Sequence, residues 1–188
     1  MLKRILNNYG LLVTIAAAII VLDQLTKYII RANLPLGQVY RPDLWLSQYA
    51  RIVHWKNTGA AFGLFQNLGG IFTVLSFVVA TVIIYYYPQV PRKDWTVRVA
   101  MGLLLGGAVG NLIDRLIQGY VTDFVSVGSF PVFNIADASI STGVVILFIG
   151  MWLQEREAKS LESLSHAAEK PALNESSSTG LPKEFKGE

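Results

Sequence analysis

LGGIFTVLSFVVATVIIYYY, residues 68–87, decides the fold. These twenty residues carry no charge, and at about 1.5 Å of helical rise each they match a hydrocarbon core of about 30 Å. Three tyrosines close the stretch, the residue type that settles at headgroup level. The charge-free region is longer still, from Asn57 to Pro91. A soluble helix of this length would carry a polar face, so the stretch reads as a membrane span.

Working outward, three further apolar segments repeat the pattern. Lys3 and Arg4 precede a run from Ile5 to Leu22 that continues through Asp23 and Lys27 to Ile30. No small-residue cleavage site follows it, so a spanning helix is preferred to a signal peptide. Val99–Ile113 is rich in small residues (Gly102, Gly106, Gly107, Ala108, Gly110), which let helices approach closely in lipid and predict a central helix. Ala138–Trp152 is the fourth. The expected fold is mainly α, a polytopic membrane protein with spans at about 9–30, 68–87, 97–113 and 136–153. Between the first two lies a polar segment, about 31–67, in which Ile52–Trp55 is β-like and Asn57-Thr58-Gly59 turn-like. It predicts a small extramembrane β-element. Residues 1–154 thus form one membrane domain. The Ser/Glu/Lys-rich 155–188 tail is expected to continue briefly as helix and then remain disordered.

Charge divides along the same line. Of 188 residues, the first 154 hold six acids, all Asp, against eleven Lys or Arg, whereas all seven Glu lie from Glu155 onward. The cations stand singly beside apolar runs, which suits bilayer flanks and argues against nucleic acid. Short-loop cations at the N-terminus, at 88–98 and at Arg156 and Lys159 put both termini on the cytoplasmic side. Arg31, Arg41, Arg51 and Lys56 in the 31–67 segment run against that bias, and Arg115 is the one cation of 114–136. The chain has no cysteine and two distant histidines, His54 and His166, so neither a thiol nucleophile nor a zinc site is expected.

Carboxylates at the edge of a hydrocarbon layer are costly and point to function. Asp94 follows Lys93 in a solvated turn, and Asp43 sits in a turn-like RPDLW setting. Asp23 lies four residues before Lys27, on one helical face; the pair is either an interfacial salt bridge or support for a polar site. Asp114 adjoins Arg115. Asp123 and Asp137 remain without a nearby cation, at the outer ends of spans three and four. Asn134 suits the N-cap of the fourth helix, which makes Asp137 its N3 residue in a capping-box arrangement, a role compatible with catalysis. Two carboxylates held close share a proton and divide acid and base roles. The helix N-terminus favours a charged Asp137, leaving Asp123 the proton holder. Such chemistry needs no metal or organic cofactor.

Four blocks carry a resemblance: DQLTK at 23–27, NTGAAFG at 57–63, GNLIDRLIQGYVTDF at 110–124 and FNIAD at 133–137. In this order and on this layout, the chain resembles the lipoprotein signal peptidase (signal peptidase II) family over about residues 9–153. The resemblance implies an aspartyl endopeptidase of the bacterial inner membrane that cleaves prolipoproteins just before a diacylglyceryl-modified cysteine. It assigns the catalytic pair to Asp123 and Asp137, and supporting positions to Asp23, Lys27, Asn57, Gly59, Asn111, Asp114, Arg115 and Asn134. The implied partners are lipidated prolipoproteins and membrane lipid, with the enzyme a monomer. Phe62 and Phe65 then suit either a lid over laterally admitted substrate or ordinary membrane-facing packing.

Three rival classes remain to be separated. An ion or proton relay would use the same buried charges, but no inverted repeat is evident. A Ser/Lys peptidase would pair Lys27 with Ser126, Ser129, Ser139 or Ser141. A purely structural bundle leaves the isolated aspartates without a purpose.

Overall fold

The computed structural model describes residues 2–41, 49–59 and 69–178, with side chains described between residues 8 and 161 of that set. Helix α1 (Leu2–Asn33) leads into strands β1 (Val39–Tyr40) and β2 (Ala50–Asn57); α2 (Gly69–Tyr86) follows. Then come α3 (Trp95–Gln118), β3 (Val121–Val127) and α4 (Ile135–Ser178). Among the described residues, four helices are long and apolar enough to cross a membrane: Asn8–Asn33, Gly69–Gln89, Trp95–Gln118 and Ile135–Leu161. Contacts divide the chain into a unit of residues 1–148 and another of 149–188. Within the second, Lys159 pairs with Glu155 at 2.6 Å and the Arg156 guanidinium covers the Trp152 ring. Helix continues there to Ser178.

Helix α3 is central, as its small residues require. Of its apolar window 67% is buried, against 17%, 11% and 22% for the other three spans. A Cβ added at Gly102 or Gly106 would stand 2.9 or 2.7 Å from Ile15 or Ile19 of α1. Gly107 does the same for α4, where an added Cβ would meet the Ala136 carbonyl oxygen at 2.5 Å. The inner stripe of α1 runs Leu12, Ala16, Asp23 and Lys27, a helical repeat, while Val13, Val21, Leu22, Leu25 and Tyr28 face outward. Those outward aliphatic side chains would be a liability in water; in a bilayer they meet lipid.

One end of the bundle is pinned by aromatic and cationic packing. Tyr87, fully buried, stacks on Tyr9 and lies under the Arg98 guanidinium, 4.1 Å from the ring centroid. Arg98 donates to the carbonyls of Val90 and Asn8 at 2.9 and 2.8 Å. It is therefore not a free loop charge but a clamp joining α1, α3 and the turn before α3.

At the other end the structure departs from the expectation that α3 stops near Ile113. It runs on to Gln118, because Asp114 is paired in the interior rather than solvated. Gly119, at φ +76°, then ends the helix with its N–H on the Arg115 carbonyl. Only a residue tolerant of left-handed backbone turns the chain so sharply into β3. The 114–136 connection therefore contributes a strand that the polar sequence does not announce. The antiparallel sheet runs β1-β2-β3, with Val39 opposite Val53, Trp55 opposite Asp123 and Asn57 opposite Val121. His54 is buried in β2, where its Nδ1 lies 2.7 Å from the Leu34 carbonyl and ties sheet to α1.

Candidate active site

The site forms where the C-terminal turns of α1 and α3, the start of α4 and the sheet meet. Its lower tier is a buried charge quartet. Lys27 and Asp23 are fully buried, one turn apart on α1, at 2.8 Å. The Lys27 ammonium also lies 3.3 Å from Asp114 and donates to Asn111 Oδ1 at 2.9 Å. Arg31, a further turn along α1, reaches Asp114 at 3.3 Å and donates to Thr122 Oγ1 at 3.1 Å. Two cations thus balance two anions, which is what burial of charge demands. The carboxylates also cap backbone. Asp23 accepts the Ala136 N–H of α4 at 2.9 Å, and Asp114 accepts the Thr122 N–H of β3 at 2.9 Å. Asp23 of α1 and Asp114 of α3 thereby orient the two segments that carry the upper aspartates. Asp23 and Lys27 do form a salt bridge, but a fully buried one that also reaches Asp114 and Asn111, so Lys27 does not snorkel to the interface.

The upper tier is built from amides around Asp123 and Asp137. Asn134 Oδ1 accepts the Asp137 N–H at 2.9 Å, and Asp137 Oδ2 accepts the Asn134 N–H at 3.2 Å, the reciprocal capping box expected there. Asn134 Nδ2 then donates to Asp123 Oδ1 at 2.7 Å and to Asn111 Oδ1 at 3.1 Å. Asn111 Nδ2 donates to Asp137 Oδ1 at 2.7 Å. Asn57, the last residue of β2, donates to Asp123 Oδ2 at 2.8 Å while its Oδ1 accepts the Gly59 N–H at 2.9 Å. Turn chemistry and site contact therefore coexist at Asn57.

The two carboxylates sit in different surroundings. Asp123 is 1% exposed. Burial pushes its carboxyl up to about 7, and the neighbouring Asp137 charge pushes the same way, against the Asn57 and Asn134 donors. Asp137 is half-buried and lines a cavity of about 650 Å³. Asn57, Asn111 and Arg115 supply polar lining, and Phe72, Leu75, Val79, Leu104 and Ile140 make it mostly apolar. Arg115 also faces the Phe72 ring, 5.5 Å from its centroid. This volume is in the range of ligand-binding clefts. Among the described residues no group of three or more His, Cys, Asp or Glu side chains is arranged to hold a metal ion.

All ten positions named from the sequence meet at this end of the bundle. One pairing differs: the ion-pair partners of Asp114 are Lys27 and Arg31, not its sequence neighbour Arg115. Sequence reasoning misses Arg31, Gln24 and Thr122. It counts Arg31 with the loop, although the spacing Asp23, Lys27, Arg31 repeats every four residues and carries the signal. Gln24 bonds Asp23, Asp114 and the Gly110 carbonyl, and nothing local announces that. Lys27 bonds only acids and an amide, while Ser126 Oγ accepts from Arg51 and Ser139 Oγ donates to the Leu103 carbonyl. A Ser/Lys pairing with either serine is therefore not formed. Phe62 and Phe65 lie outside the described residues, as do Asp43 and Trp45.

Comparison with known proteins gives a consistent picture. Residues 15–153 match the family described as "Signal peptidase (SPase) II". The chain is 41% identical over 149 residues to a lipoprotein signal peptidase of Bacillus pumilus, covering 77% of this chain and 94% of that protein. It is 39% identical to the one of Bacillus subtilis, covering 77% and 95%. A bacterial membrane enzyme solved by the in meso method at 1.9 Å superposes with a TM-score of 0.67 at 32% identity, over 76% of this chain and 92% of that one. A second, at 2.3 Å, gives 0.69 at 29% identity, over 94% and 95%.

Proposed function

The chain belongs to the signal peptidase II family, and on that premise we propose that it is an aspartyl endopeptidase removing signal peptides from prolipoproteins, with Asp123 and Asp137 as its catalytic pair. The observation that carries this reading is the shared amide of Asn134. Its nitrogen donates to the Asp123 carboxylate and its oxygen accepts the backbone N–H of Asp137, so one residue ties β3 to the start of α4 and keeps the two aspartates neighbours, close enough for the charge of Asp137 to act on Asp123.

The proposed chemistry divides the carboxylates by environment. Asp137, open to the cavity and receiving N–H donors from Asn111 and Asn134, is the ionised base that takes a proton from water. Asp123, whose carboxyl titrates near 7, holds the proton and passes it to the scissile carbonyl oxygen as the carbon–oxygen double bond opens. Collapse of the tetrahedral species breaks the carbon–nitrogen bond: the leaving amine receives the proton Asp137 took, and the hydroxyl proton returns to Asp123 as the carbonyl re-forms. Asn57 both lines the cavity and covers Asp123, so a small displacement of its amide admits substrate to the second carboxyl.

The substrate class follows from the cavity and the setting. A diacylglyceryl-modified prolipoprotein is held in the bilayer, and its apolar parts suit the Phe72, Leu75, Val79, Leu104 and Ile140 wall. Cleavage just before the modified cysteine puts the scissile bond at the polar rim beside Asp137. The enzyme works as a monomer of the bacterial inner membrane with both termini cytoplasmic and the site near the outer face. The test uses purified protein and a diacylglyceryl-modified prolipoprotein. Asp123→Asn and Asp137→Asn should each abolish cleavage while elution and helix content stay native. Retained cleavage in either would falsify the pairing.

A further inference from the structure

The charge quartet beneath the aspartates has a directional property. An ammonium group donates only, so whatever faces Lys27 at 2.9 Å must accept. That fixes Asn111 with its oxygen toward α1 and its nitrogen toward Asp137. A carboxamide turned the other way would set its oxygen against the Asp137 carboxylate and its N–H₂ against an ammonium, two repulsive contacts. Asn134 Nδ2 helps from the side at 3.1 Å. Lys27 supplies the charged and shorter contact, and its own position is held by Asp23 and Asp114 at 2.8 and 3.3 Å.

We propose that Lys27 is a positioning residue for catalysis, which acts through the Asn111 amide to keep an N–H aimed at Asp137. The inference rests on the aspartyl peptidase reading above. The lysine touches neither the cavity nor a carboxylate of the pair, yet it makes the charged contact that turns the Asn111 nitrogen toward Asp137. The charged groups around Asp137 are Asp123 of β3, Arg115 of α3, and Lys27 and Asp23 of α1. A test must therefore change the amide orientation without changing net charge.

The charge-balanced pair Asp23→Asn with Lys27→Met meets that need, because the amide oxygen introduced by Asp23→Asn still accepts the Ala136 N–H. Asn111→Leu, close in shape and neutral, removes the Asn111 amide itself. With a lipidated prolipoprotein as probe, kcat is followed from about pH 4.5 to 9, a range that brackets ordinary and raised carboxyl titrations, with KM measured at each pH. Loss of one charge-assisted donor should move the acidic limb of kcat upward by about one to two pH units. On that limb this is about a 10- to 100-fold loss of kcat. Combining all three substitutions should shift the limb no further than Asn111→Leu alone, since both changes act through one hydrogen bond. An unmoved limb in Asn111→Leu overturns the proposal, whether or not the paired variant folds. So do shifts that add in the triple variant, which would mean Lys27 acts by its charge directly. Asp137→Asn run alongside separates the two levels. If it cleaves, the aspartyl pairing on which the proposal rests fails; if it is inert while the limb stays put, only the role of Lys27 does.

Discussion

Asp123→Asn is expected to abolish cleavage and to make the folded chain more heat-resistant at about pH 8, above the raised titration of the carboxyl. That carboxyl is 1% exposed and titrates near 7, against an ordinary 3.8. A raised folded value means that between about pH 4 and 7 the folded state binds a proton the unfolded state has lost. Stability contributed by Asp123 is thus fully present at acid pH and lost as pH rises through about 7. A displacement of about three pH units corresponds to about 4 kcal/mol. The asparagine variant forfeits part of this, since its amide nitrogen meets one of the two N–H donors from Asn57 and Asn134, at about 1–2 kcal/mol. A net gain of about 2–3 kcal/mol should remain at about pH 8 and turn into a net loss of about 1–2 kcal/mol at about pH 4, where the native carboxyl is protonated and only the amide mismatch is left. The assay is thermal unfolding in detergent at several pH values, read as the variant-minus-native difference so that other titrating groups cancel. If that difference does not grow between about pH 4 and 7, the burial of a proton-holding Asp123 is refuted.

Other expectations follow from the packing and the turns. Gly107→Ala would push a methyl onto the Ala136 carbonyl at 2.5 Å and displace the start of α4, so stability should fall by about 1–3 kcal/mol and cleavage with it; native melting and kcat in this variant would contradict the packing. Gly119→Ala asks an L-residue to hold φ +76° and should cost about 1–2 kcal/mol, measured by thermal unfolding, with the cavity contacts unaltered. Arg31→Met removes donors to Asp114 and Thr122 and leaves half of the buried quartet unbalanced; a loss of about 1–3 kcal/mol is expected by the same measurement, smaller at high salt because Arg31 is partly exposed.

The spans are legible because lipid imposes a simple rule: long charge-free runs, small residues where helices touch, and tyrosines at an end. Asp123 and Asp137 can be reached by elimination, since each lacks a cation nearby in sequence. The Asn134–Asp137 box can be read from spacing alone. What cannot be read are contacts whose partners are far apart along the chain. Asp114 looks paired with Arg115, but successive residues on a helix point in different directions, and the real partners sit one turn apart on α1. Strand β3 is hidden because its Asp and Thr look polar in sequence; they are buried against α1, α3 and Asn134 instead of alternating toward water. Arg31 falls to a loop in the sequence because the apolar run ends at Ile30, while the helix itself ends at Asn33.

Asn134 leaves its own position almost no freedom to vary. Its oxygen closes the first turn of α4, and its nitrogen serves Asp123 and Asn111 at once. Aspartate would keep the oxygen and lose both donated bonds; serine is too short for the second task; glutamine overshoots the first. A saturation library at Asn134, selected for lipoprotein maturation, should return asparagine alone.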